Sequence, residues 1–167
     1  GIYCETYSRP IDFMVGETHL QVVYPYVEGV SLARRFRKRP LTATEAMLLA
    51  KDLFEALEQI HQIGCIHRDI RPSNIIVRDD ARSVLCGYVP LWCPELFGKD
   101  DLLARECATY TSPELSGIID HDISETSDLY SVGHVLYAAL TGTPAFAGDV
   151  SEILYRHMTA DPDAGCY

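Results

Sequence analysis

The chain has 167 residues, 47% of them apolar, which suits a single packed domain. A net charge of −10 and a pI near 4.9 exclude broad nucleic-acid binding. No apolar run approaches the roughly 20 residues of a membrane span, and six cysteines without a Cys-x-x-Cys pair or metal-ligand spacing fit a reducing, cytoplasmic setting.

Residues 11–15 and 19–24 read as two short strands, with Gly16-Glu17-Thr18 as a hairpin turn and Pro25 to Gly29 breaking the second strand. Ser31 is placed to cap a short helix from Leu32 to about Lys38, closed by Pro40. Five of the fourteen basic residues (Arg34, Arg35, Arg37, Lys38, Arg39) crowd its end. They read as a solvated helix terminus complementing the helix dipole, or as a contact for an acidic partner or substrate. Thr42-Ala43-Thr44-Glu45 is a capping-box pattern. Behind it Ala46, Leu49, Ala50, Leu53, Leu57 and Ile60 recur at helical spacing, and Gly64 ends the helix.

The helix delivers the chain into Ile66-His67-Arg68-Asp69-Ile70-Arg71-Pro72-Ser73-Asn74-Ile75-Ile76-Val77. Here one carboxylate, two guanidinium groups and one amide lie between apolar flanks. Pro72 removes a backbone donor and keeps the loop from becoming a long helix. Ile75, Ile76 and Val77 are branched and suit a buried strand. Ser83 to Tyr88 reads as another strand. Tyr110-Thr111-Ser112-Pro113-Glu114 follows, and a second long helix opens at Ser127-Asp128-Leu129-Tyr130-Ser131-Val132-Gly133. Leu129, Val132, Val135, Leu136, Ala139 and Leu140 give that helix an apolar surface up to Thr141. A last helical stretch runs from Val150 to Met158.

His-Arg-Asp with Asn five residues after the Asp resembles the catalytic loop of the protein kinases, and Pro72-Ser73 resembles the serine/threonine branch. Tyr110 to Glu114 is similar to that family's Tyr-x-Ala-Pro-Glu, and Asp128 matches the early Asp of its central helix. The resemblance covers roughly residues 10–162. It implies an α+β, kinase-like fold: residues 1–30 as the end of the small lobe (hairpin and hinge), and residues 31–167 as a mostly helical large lobe truncated at its C-terminal end. It implies ATP as phosphoryl donor, Mg2+, and a protein substrate or regulatory protein partner. By the same resemblance Asp69 orients the acceptor hydroxyl, Arg71 stands for the usual lysine near the transferred phosphate, and Asn74 holds the metal. His67, Arg68, Asp128 and Glu114 support the loop, while Tyr24, Tyr26, Val27 and Ile76 line the adenine site.

The pattern also departs from the family. Where Asp-Phe-Gly is expected, the aligned residues are Gly87-Tyr88-Val89 or Leu85-Cys86-Gly87, and no acid lies between Asp80 and Glu95. Cys107 replaces the Thr that bonds the catalytic Asp, and no Ser or Thr lies between Tyr88 and Cys107 for phosphorylation. Residues 89–106 read as the activation segment. Gly1 in place of Met, with no Lys before Lys38 and no glycine-rich loop, leads to the expectation that the chain is part of a longer one. Two functions follow from these readings: a serine/threonine-type protein kinase with impaired catalysis, or a pseudokinase that acts as a protein-binding or regulatory module.

Overall fold

The structure is a computed structural model that describes residues 5–16, 20–87, 102–117 and 119–162. Strand β1 (Asp12–Val15) pairs antiparallel with β2 (Leu20–Val23) as a hairpin in register Asp12↔Val23 to Val15↔Leu20. The expected strands are thus present, each slightly shorter; most of the expected turn lies outside the described residues. Helix α1 (Leu32–Phe36) follows β3 (Val30–Ser31). Ser31 precedes α1, but its side chain makes no capping bond because the residue is already used in the sheet opposite Ile76.

Helix α2 (Ala43–Gln62) begins as expected. The Thr42 hydroxyl accepts from Glu45 N, and the Glu45 carboxylate accepts from Thr42 N, so two otherwise orphaned donors are satisfied reciprocally. Arg35 and Arg39 also bind Glu45, so two of the clustered cations are committed to an internal contact. With Arg39 as the main cause, the Glu45 carboxyl is pulled down to about 2. After Ile63 the chain turns at Gly64, whose φ of +72° is costly for a residue with a Cβ.

A 3-10 turn (Pro72–Asn74) leads into β4 (Ile75–Val77), which lies between β3 and β5 (Ser83–Leu85) in an antiparallel sheet. Strand β5 stops before Tyr88; Tyr88 itself lies outside the described residues, as do 89–101 of the expected activation segment. The end of that segment is helical: α3 (Leu102–Tyr110). Helix α4 (Glu125–Thr141) starts two residues earlier than expected, and α5 (Val150–Thr159) ends the described chain.

Helices α2 and α4 form the centre of the core. Leu53, Leu57 and Ile60 meet Val132, Val135, Ala138 and Ala139, all buried, and Leu136 packs against the same cluster. Leu129, expected on that surface, is 45% exposed because it points away from α2. A smaller cluster of Ala108, Phe146 and Ile153 joins α3 to α5. One pairing had no clear sequence signal: residues 6–8 run beside β5, with Leu85 N donating to Thr6 O and Ser8 N to Leu85 O. The architecture is α+β and mostly helical.

Candidate active site

The apolar flanks of residues 66–77 pin a polar loop over the start of α4. Asp128, fully buried, accepts three hydrogen bonds: from His67 N at 2.8 Å, from Arg68 N at 2.9 Å and from His61 Nε2 at 2.8 Å. A carboxylate at a helix start is favoured by the helix dipole, and three donors offset its desolvation. Arg68 has φ of +68°, an unusual conformation for a residue with a side chain; the Asp128 bond to its N–H helps fix it.

His67 is fully buried. Its Nε2–H donates to Cys86 O at 3.1 Å, and its Nδ1 accepts from Asp69 N at 3.3 Å, so the ring is a neutral bridge from the loop to the end of β5. Burial is the main cause that lowers its pKa. Glu114 lies at the other end of the site. Burial acts to raise its pKa, but a hydrogen bond with the Ser127 side chain, among others, outweighs this and lowers it. Glu114 therefore has a partner within the chain, the Ser127 side chain at the start of α4.

Asp69, Arg71 and Asn74 converge as expected. Asp69 Oδ1 accepts from Arg71 Nε at 2.8 Å, and Oδ2 accepts from Asn74 Nδ2 at 2.7 Å. The same Asn74 nitrogen also donates to Asp69 O at 2.9 Å. Glu106, from α3, was not singled out in the sequence. Its carboxylate binds Arg71 Nη1 at 2.8 Å, Ser73 Oγ at 2.7 Å and Ser73 N at 3.2 Å. Its signal was its place beside Cys107 and four residues before Tyr110, at the end of the stretch read as the activation segment. Cys107 is buried in the same helix.

Gly87 closes the other side of the site. A Cβ built on it would lie 2.8–2.9 Å from Asn74 Cγ, Nδ2 and Oδ1, and its φ is +79°. The space into which a side chain at residue 87 would grow is thus filled by the Asn74 carboxamide. Among the described residues, no group of three His, Cys, Asp or Glu side chains could hold a metal ion. The oxygen of Asn74, the expected metal ligand, remains; the neighbouring Asp69 is already bonded on both oxygens, and no carboxylate faces them from residue 87. This donor set does not fit a magnesium ion held between two protein carbonyl or carboxylate ligands.

The residues expected at the adenine site are split. Tyr26, 90% exposed, and Val27 line an open cleft of about 550 Å³ with Tyr7, Arg9, Ile11 and Val84. Tyr24 and Ile76 are not among the residues that line it. Ile76 packs instead under Gly29, where an added Cβ would approach it to 2.8 Å.

Comparison with known proteins gives a protein kinase domain model matching residues 5–163. The chain is 32% identical over 163 residues to the serine/threonine-protein kinase PknB of Mycobacterium tuberculosis strain H37Rv, a match covering 95% of this chain and 24% of that protein. It is 31% identical over 162 residues to the serine/threonine-protein kinase pkn2 of Myxococcus xanthus, covering 92% of this chain and 19% of that one. It is 28% identical over 160 residues to the serine/threonine-protein kinase PkaA of Streptomyces coelicolor, covering 92% and 29%. The chain spans about a quarter of the length of these curated relatives.

Proposed function

This chain belongs to the protein kinase domain family, and from that premise we propose that it is a serine/threonine-type kinase fold impaired in phosphoryl transfer. The family uses ATP with Mg2+ and acts on protein hydroxyls. The observation that carries the reading is Gly87, which the ungapped alignment places where the family has its metal-binding carboxylate: it has no side chain, and Asn74 fills the space one would need. Phosphoryl transfer depends on positioning and on neutralising the phosphate charge, so loss of a metal ligand weakens its main catalytic contribution.

The chain's own residues keep part of the task. Asp69 is held from both sides by Arg71 and Asn74, which fixes its carboxylate towards an acceptor hydroxyl. Asp128 fixes the loop backbone beneath it. Asn74 offers one oxygen to a metal. Arg71 offers a planar fork in place of a lysine's point charge.

A second reading, a pseudokinase acting as a protein-binding or regulatory module, is favoured by Arg71 being committed to two carboxylates. A reducing, cytoplasmic setting is supported by Cys65, Cys86 and Cys107 being free thiols, and among the described residues no helix is long and apolar enough to cross a membrane. Calorimetry with Mg-ATP tests the proposal. Weak or absent binding is expected; micromolar binding that EDTA abolishes overturns it, because it requires a metal site that these residues do not form.

A further inference from the structure

The contact between Glu106 and the catalytic loop joins two parts of the chain 33–35 residues apart, and both oxygens of its carboxylate are engaged. Three donors of different kinds meet it: a guanidinium N–H of Arg71, the backbone N–H of Ser73 and the Ser73 hydroxyl. Arg71 Nη1 also donates to Ser73 Oγ at 2.6 Å, which turns the hydroxyl proton towards Glu106. A guanidinium, a backbone amide and a hydroxyl aimed at one point are a donor set for an oxyanion, and charge-assisted bonds are the stronger ones. The groups are partly shielded: the side chain of Arg71 is 14% exposed and that of Glu106 27%.

Glu106 is not a loosely attached side chain. Its helix is tied down on the far side by Arg105 Nη2 to Gly148 O at 2.7 Å and by His157 Nε2 to Ala108 O at 2.9 Å. The second bond satisfies one of the carbonyls that a helix end leaves without an intrahelical partner. Ala104, Cys107 and Ala108 are buried on the same helix. The packing of α3 on α5 therefore sets where the carboxylate stands.

We propose that Arg71 and Ser73 form an oxyanion site for a phosphate-type ligand, and that Glu106 is its internal occupant, holding the loop in a self-inhibited state. An external phosphate binds only when Glu106 leaves, by movement of α3 or by loss of its charge. A resident competitor lowers apparent affinity by the fraction of molecules in which the site is free. The inference deepens the function proposed above, because Arg71 is the cation that reading places near the transferred phosphate. Its test needs neither nucleotide nor metal.

The test is titration of the purified 167-residue chain with inorganic phosphate, followed by calorimetry, with far-UV circular dichroism as the folding control. The variants are Glu106→Ala, Glu106→Gln and Glu106→Gln combined with Arg71→Gln. Both single variants are expected to bind phosphate at least about tenfold more tightly than the parent, and the double variant is expected to lose the gain. If Glu106→Ala does not fold, Glu106→Gln, which keeps the side-chain shape, decides. A folded Glu106→Gln with parental affinity overturns the inference, as does a gain that survives the loss of Arg71. Unfolding of both single variants also overturns it, since the contact is then a structural ion pair. A phosphate gain together with Mg-ATP binding by the parent keeps this inference and removes the proposed function; no gain without Mg-ATP binding does the reverse.

Discussion

Two parts of the catalytic loop are built from similar residues and used in opposite ways. At its base, Asp128 receives two loop N–H groups and His61, and His67 bridges to Cys86 O. All but the His61 contact, which joins two side chains, fix backbone. At its mouth, Asp69, Arg71, Asn74 and Glu106 carry the charge, and they bind one another. The base is what any chain with this fold needs to stand. The mouth holds the residues to which the proposed function gives the chemistry, and here they bind one another. On that proposal, folding and catalysis rest on separate sets of contacts.

The sharpest way to break this comparison is at the base. Asp128→Ala leaves the buried N–H groups of His67 and Arg68 without their acceptor. Each such loss costs about 1–3 kcal/mol, so destabilisation of roughly 3 kcal/mol or more is expected in urea unfolding. A loss below about 1 kcal/mol would mean that the base is not the anchor. Asp69→Ala at the mouth, by contrast, is expected to change stability far less than Asp128→Ala.

Next in size is a pH effect that the mouth should not share. His134 is buried among Tyr130, Phe146 and His157, with ring centroids 4.6, 5.4 and 4.8 Å away. Burial, followed by the charge of His157, pushes its pKa down to about 4. His157 is also lowered, mainly by burial; its neutral ring accepts from Tyr130 Oη at 2.7 Å and donates to Ala108 O. An unfolded histidine titrates near 6.5. The folded state thus resists protons that the unfolded state takes up. Its stability is full above about pH 6.5 and falls as pH drops towards about 4. The loss expected from His134 is of the order of 2–3 kcal/mol, and His134→Phe should flatten the curve. An unchanged curve in that variant would assign the acid sensitivity elsewhere.

The sequence made the base legible and the mouth only in part. The capping box at Thr42 and the α2 and α4 core follow from local patterns, a reciprocal cap and helical spacing, while the place of Asp128 under the loop came from the family resemblance. Local rules act within a few residues, so they read well from one chain. Glu106 was not legible, because its partners lie 33 and 35 residues away and its stretch was read only as the activation segment, with no element assigned. The pairing of residues 6–8 with Leu85 failed for the same reason: it is a long-range backbone contact made by a short polar segment. Ser31 failed differently, since a good capping residue was taken by the sheet. The absence of an acid between Asp80 and Glu95 was visible in the sequence, but not the Asn74 carboxamide packed against Gly87.

That carboxamide sets the smallest and most specific test. Gly64 and Gly87 have nearly the same φ, +72° and +79°, but different surroundings: a Cβ on Gly64 meets nothing within 4 Å, while one on Gly87 meets Asn74 at 2.8–2.9 Å. Gly64→Ala measures the backbone cost alone, about 1 kcal/mol. Gly87→Ala pays the same cost and a steric one, and is expected to be worse by about 1 kcal/mol. Adding Asn74→Ala should remove the excess, so a double-mutant cycle is expected to give a coupling of at least about 0.5 kcal/mol. Equal effects of the two glycine variants would mean that Asn74 yields freely and that the mouth can still reopen. The same geometry governs Gly87→Asp, which adds a carboxylate but places it at a left-handed φ and against Asn74. It is expected to leave Mg-ATP binding unrescued, and calorimetry of that variant checks it. A side chain at residue 87 meets the Asn74 carboxamide, whatever its charge.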